Sequence, residues 1–184
     1  MAVIEGFRVQ HYRALYDVTL GKLSSQQAGE PLSPFTVVIG KNGVGKSTLF
    51  DAFGFVADCL SVDVESACDM KQRGGFDRLR SMGVIEPIKF EIYYREAPNE
   101  RPITYELAIA LDSSGRPYPF LRLHHGKGTV WAGEEAVEVE GEEDRAQAPV
   151  ELTDTRQLGI ATLGNRRDVF KLVNNLTEGS FPVI

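Results

Sequence analysis

Residues 36–52, TVVIGKNGVGKSTLFDA, constrain the fold of this chain more than any other stretch. A short apolar run (Val37, Val38, Ile39) leads into GKNGVGKS at residues 40–47, and a helical pattern follows directly. This is the GxxxxGK[ST] loop in the setting that gives the pattern its meaning, with a strand before it and a helix after it. Gly40, Gly43 and Gly45 permit backbone turns that a side chain forbids. Successive N–H groups then point inward and form a nest for an anion. The helix starting near residues 45–47 adds free N–H groups and the positive end of its dipole. In this reading Asn42, Gly43, Val44, Gly45, Lys46, Ser47 and Thr48 bind the phosphates of a nucleotide. Lys46 is the catalytic side chain, reaching the β- and γ-phosphates, and the Ser47 hydroxyl ligates Mg²⁺. The plainer reading is a Gly-rich turn that binds nothing. The complete pattern with both flanks in place favours the nucleotide.

A chain of 184 residues is long enough for one ordinary domain with a sizeable core, and 42% hydrophobic with 25% charged residues excludes disorder as the default. Its 20 basic and 26 acidic side chains give a net charge of −6, which provides no general attraction to nucleic acid. Lys71, Arg73, Arg78 and Arg80 are the one basic cluster, read either as a phosphate-contacting patch or as ordinary exposed arginines. Cys59 and Cys68 form no CxxC pair and have no histidine nearby, so they build no zinc site and read as reduced thiols. His124 and His125 are neighbours on a strand pattern and face opposite sides, so they cannot chelate one ion together. The N-terminus MAVIEGFRVQHYR has no signal-peptide core, and no apolar run approaches membrane-spanning length. The expected location is the cytoplasm, with no membrane association.

Along the chain, residues 2–20 predict two short strands, with apolar positions Ile4, Phe7, Val9 and Tyr12, then Leu15, Val18 and Leu20. Residues 21–34 are a loop, and residues 36–39 are expected as a buried strand feeding the phosphate loop. Leu49, Phe50, Phe53, Val56, Ala57 and Leu60 mark one apolar face of a helix starting at Lys46. Asp63 can cap a second short helix reaching about Gln72. From residue 85 the texture changes. Residues 85–95 (IEPIKFEIYYR), 103–111 (ITYELAIAL), 118–124 and 129–132 alternate, with one more strand at 136–139 and turn residues between them. That predicts an antiparallel meander. Helical periodicity returns within residues 150–184. The expected organisation is a single lobe, with strands, loop and first helices over 1–84, the meander over 85–140 and a helical segment over 150–184.

This order resembles the amino-terminal lobe of ABC-type ATPase heads, in the branch of RecF, SMC and predicted AAA-type ATPases. Two stretches carry the likeness. Residues 7–13, FRVQHYR, are similar to that branch's "F-x-V-x-N-[FY]-[RK]", and residues 39–49, IGKNGVGKSTL, to its "hhGxNGxGKSTL". Arg73-Gly74-Gly75 is similar to an RGG element of some predicted ATPases. The resemblance implies an α/β P-loop NTPase fold and ATP with Mg²⁺ as cofactors. It implies a place for Arg13 near the nucleotide, against the alternative of an exposed strand-end charge. It also implies a glutamine contacting Mg²⁺ and the attacking water, a position that Gln157 occupies approximately, against that of a solvated helix-start residue. His11 stands where the family has asparagine.

A complete head also has an LSGGQ-like signature and an hhhhDE strand. Neither is visible. Residues 107–112 imitate the latter, but Ser113 follows Asp112 where glutamate belongs, and DSSG is a better hairpin turn. The expectation is half of an ATPase head that hydrolyses ATP with a complementary lobe, on a partner chain or in a homodimer. The alternative is a nucleotide-binding or assembly module without turnover. Apolar surface for the absent half is expected on residues 165–176. A P-loop kinase or GTPase is disfavoured by the meander and by the lack of an [NT]KxD segment.

Overall fold

Alternation along the strands decides which face of the sheet becomes core. The computed structural model of the chain describes residues 3–24, 29–33, 35–95, 99, 102–125, 128–132 and 139–140, with side chains described through residue 120. In β4 (Ile103–Leu111) the residues Ile103, Tyr105, Leu107 and Ile109 are buried, while the residues between them face the other side. In β3 (Ile88–Arg95) Ile88, Phe90, Ile92 and Tyr94 do the same, and in β1 (Val3–Tyr12) Phe7 and Val9. The register aligns these positions, so that Val9, Phe90 and Leu107 form one row across three strands. With β2 (Leu15–Gly21), β5 (Pro117–His125), β6 (Gly128–Ala132) and β7 (Val139–Glu140), they form one antiparallel sheet in the order β2-β1-β3-β4-β5-β6-β7. The strand pair and the meander, separate by texture in the sequence, are continuous because β1 pairs directly with β3.

Helix α1 (Lys46–Ser61) lies on the apolar face of this sheet. It buries Leu49, Ala52, Phe53, Phe55, Val56, Cys59 and Leu60. Phe53 stacks on Phe7 at 3.9 Å between ring centroids, and Phe55 meets Tyr12 at 5.5 Å and Phe90 at 5.8 Å. Each such pair adds about 0.5–1.5 kcal/mol beyond its buried area. The buried face differs from the predicted stripe: Phe50 is 55% exposed and Phe55 fully buried. The reason is that α2 (Val64–Asp69) also packs against α1, which widens the covered arc. Asp63 caps α2 as expected, its two carboxylate oxygens accepting from the Ser66 N–H and hydroxyl at 2.7 Å each. A 3₁₀ turn (Met70–Gln72) and the four-residue α3 (Phe76–Leu79) lead back to the sheet.

One expectation changes here, and the turn expected at Asp112 holds. Residues 36–39 form no strand: the segment is irregular, with Val37 54% and Ile39 89% exposed, and Val38 alone packs against the core. Alternation fixes which side chains point inward, but a strand also needs a neighbour to pair with, and among the described residues none lies alongside. Asp112 is settled as a turn residue. Its carboxylate accepts from the N–H groups of Ser114 (2.8 Å) and Arg116 (2.9 Å), and those bonds, Arg116 first, hold its carboxyl below the ordinary range. The expected helical segment of residues 150–184, with Gln157, lies outside the described residues.

Candidate nucleotide site at the start of the long helix

The loop of residues 40–47 closes on a helix that begins abruptly. Gly45 caps α1 with φ 96° and ψ 12°, a left-handed conformation, and its carbonyl accepts the first helical bond from the Leu49 N–H at 2.9 Å. Gly43 is also left-handed, at φ 84°. A side chain at either position would be strained, and a Cβ at Gly45 would also come within 3.0 Å of Leu15 Cδ2. Above Gly43 the space is open, with nothing within 4 Å of a Cβ placed there. The main-chain N–H groups of residues 42–46 donate to no acceptor among the described residues. An exposed arc of free donors at a helix N-terminus fits a phosphate chain. Lys46 folds back over the loop, its Nζ donating to the carbonyls of Gly40 (2.6 Å) and Lys41 (2.8 Å). Ser47 is exposed beside it.

Arg13 reaches α1 from the sheet. It sits in the β1–β2 turn with φ 49°, pinned by its N–H bond to the Leu79 carbonyl at 2.6 Å. Its guanidinium Nη1 lies 3.1 Å from Asp51 Oδ2, on the first turns of α1. It is therefore anchored to the helix that carries Lys46 and Ser47 rather than free at a strand end. His11 does not join it. Its Nδ1 bonds the Pro87 carbonyl at 2.9 Å, on the opposite flank of the strand end.

Sequence reasoning missed Asp51, which gathers three donors on α1. Oδ2 accepts from the Tyr12 hydroxyl at 2.6 Å as well as from Arg13, while Oδ1 accepts from Arg73 Nε at 3.1 Å. Burial, with the bond to Asp51, pushes the Tyr12 phenol far above its ordinary range. Arg73 is only 2% exposed, and spans two carboxylates of α1. Its Nη1 lies 2.6 Å from Asp58 Oδ2 and donates to the Ala67 carbonyl at 3.0 Å, and its guanidinium stands 5.2 Å from the centre of the Phe55 ring. Lys71 donates to the other oxygen of Asp58 at 2.8 Å. Burial opposes the charge on Arg73, but the Asp58 and Asp51 carboxylates outweigh it and raise its pKa. The signal available in the sequence was the spacing of Asp51 and Asp58, seven residues apart and so on one helix face.

The basic cluster thus has little free charge to offer. Arg73 is buried, Lys71 is paired, Arg80 lies over the Phe76 ring at 5.3 Å, and Arg78 remains exposed. Among the described residues no group of three or more His, Cys, Asp or Glu is placed to hold a metal ion, and no helix is long and apolar enough to cross a membrane. A depression of about 270 Å³ lies on the far face of the sheet, between Arg8, Gln10, Lys89, Glu91, Glu106 and Phe120. It is separated from the phosphate loop by the sheet itself.

A family profile described as an AAA domain, AbiEii toxin-like, type IV TA system, matches residues 35–172. The chain belongs to this AAA-domain family. No curated protein and no solved structure matches it. The matched span of this AAA domain takes in the phosphate loop, α1, the Arg73 loop and strands β3 to β7. Arg13 lies before the span, and what the structure shows of it is the contact with Asp51. Membership carries the coarse reading of an ATPase-type nucleotide-binding module with a P-loop, in a superfamily that uses ATP and Mg²⁺.

Proposed function

We propose that this AAA domain is the ATP- and Mg²⁺-binding lobe of an ABC-type ATPase head of the RecF/SMC kind, and that it hydrolyses ATP when a complementary lobe completes the site. The observation that carries the reading is the exposed arc of unengaged N–H groups over residues 42–46, capped by left-handed Gly45 at the head of α1. Lys46 is held by two neutral carbonyls. A phosphate chain offers charged acceptors, which make stronger bonds to an ammonium, so Lys46 exchanges one set for the other at modest cost. Bound Mg²⁺ supplies charge neutralisation for the transferred phosphoryl group, with Ser47 and, in this reading, Gln157 as its protein contacts. Arg13 adds a guanidinium fork for phosphate or base.

Asp51 cannot serve as the general base, because three donors already occupy its oxygens. The base then comes from the complementary lobe, on a partner chain or a second copy. Residues 36–40 fit such a completion: Val37 and Ile39 are exposed and the backbone pairs with no described strand, which leaves an edge for one to join. Two buried, unpaired thiols fit a reducing cytoplasmic compartment. That Asp51 is so engaged equally favours the second reading, a lobe that binds ATP without turnover.

Titration with a fluorescent ATP analogue in the presence of Mg²⁺ tests the common part. Lys46→Ala is expected to weaken binding at least tenfold without unfolding the chain, and equal affinity would overturn the reading. Turnover measured with and without the complementary lobe separates the two alternatives. A rise of orders of magnitude supports the hydrolase, and no rise supports the binding module.

A further inference from the structure

The loop of residues 71–75 is built at a cost that its position in the chain does not explain. Lys71 and Gln72 are both left-handed, with φ of 53° and 61°, and neither is glycine. Such conformations cost of order 1 kcal/mol or more each and persist where surrounding contacts over-determine them. Gly74 and Gly75 follow, also at positive φ. The whole distortion serves to deliver one side chain, Arg73, into the interior, where it bridges Asp51 and Asp58 on α1. Helix α1 accommodates it with Gly54, above which Arg73 Nη2 lies 3.7 Å from the position of a Cβ.

We propose that Arg73 is a positioning residue of the nucleotide site, acting through Asp51 on Arg13. Arg73 Nε holds Asp51 Oδ1, which fixes the carboxylate plane so that Oδ2 faces the Tyr12 hydroxyl and the Arg13 guanidinium. Without that grip Asp51 is free to rotate, and Arg13 loses its fixed place beside the helix that carries Lys46 and Ser47. The bond from Nη1 to the Ala67 carbonyl and the pairing with Asp58 keep Arg73 itself from following Asp51. A lysine at this position has one ammonium in place of the fork and cannot serve both carboxylates and the carbonyl. The residues form one connected chain from loop to site: Asp58, Arg73, Asp51, Arg13.

The inference rests on the nucleotide reading above, and it is tested by affinity for a fluorescent ATP analogue with Mg²⁺ in the full chain. Arg13→Ala is expected to weaken binding about tenfold, the size of one lost charge-assisted contact. Arg73→Lys and Arg73→Ala are expected to weaken it by a similar factor. In the Arg13→Ala background the Arg73 substitutions should then add less than about twofold, because the side chain they position is gone. A merely structural Arg73 would instead multiply the two losses, and that outcome overturns the proposal, as does wild-type affinity in Arg73→Lys. Circular dichroism establishes that each variant is folded. If Arg73→Ala is not, Arg73→Lys and Asp58→Asn, which weakens the far anchor and the Lys71 pair but leaves Asp51 and Arg73 in place, carry the same double-variant comparison. Lys46→Ala distinguishes the two levels of failure. If it retains affinity, the phosphate-loop reading falls. If it loses affinity while the Arg73 series stays flat, only the positioning role falls.

Discussion

Gly54 sits in the middle of α1, where glycine costs about 1 kcal/mol relative to alanine. A Cβ there would meet Arg73 Nη2 at 3.7 Å and Lys71 Nζ at 4.0 Å, which is ordinary contact. Gly54→Ala is therefore expected to stabilise the chain by up to about 1 kcal/mol in urea unfolding. Gly6 in β1 is the opposite case. A Cβ there would fall 2.0 Å from the carbonyl oxygen of Lys22, so Gly6→Ala must displace backbone and is expected to cost about 2–4 kcal/mol. A loss in the first or a gain in the second would contradict the packing described. At this scale the sequence was readable where function and capping are local. The Gly45 and Asp63 caps announce themselves through immediate neighbours, as does the GxxxxGK[ST] pattern of residues 40–47. The burial of Arg73 did not, because Lys71, Arg78 and Arg80 around it suggest a solvated patch, while its partner Asp51 stands 22 residues upstream. Long-range pairing of that kind leaves no trace in spacing.

Among the elements, the strands were readable because alternation is itself the cause of their burial. The irregular segment at residues 36–39 shows the limit, since alternation specifies faces and not the neighbour that completes a ladder. The register between β3 and β4 has a consequence of its own. It sets Glu91 directly opposite Glu106 on the sheet face away from α1. Burial holds the Glu91 carboxyl above its ordinary range, Glu106 adds to the shift, and Arg8 opposes it. The folded state thus penalises the charged form. The cost is absent below the unfolded value of about 4.3, grows as pH rises through the folded value, and is constant above it. Glu91→Gln removes the charge, so it is expected to raise the melting temperature at neutral pH and to confer no advantage near pH 3. Thermal unfolding at the two pH values checks the sign. An equal gain at both would place the effect in packing rather than ionisation.

At the scale of the whole molecule, one antiparallel sheet buries its apolar face under α1 and α2, yet the segment that feeds the phosphate loop stays outside that economy. Phe35, Val37 and Ile39 are all exposed, on a stretch whose backbone joins no described strand. Apolar side chains beside unpaired N–H and C=O groups are a template for strand addition. The apolar surface expected on residues 165–176 lies outside the described residues, and the described residues expose apolar side chains at 35, 37 and 39. The isolated chain is expected to self-associate in a concentration-dependent way through this edge. Val37→Lys and Ile39→Glu should each shift sedimentation toward the monomer. Both side chains lie in solvent, so melting temperature should change little, within the about 0.5 kcal/mol usual for surface substitutions. A wild-type chain that sediments as a monomer at every concentration would refute the edge as a template. Association that persists in both variants would place the contact elsewhere. Association that these charges abolish, and that a complementary lobe displaces, would mean that self-pairing and the lobe compete for the same edge beside residue 38.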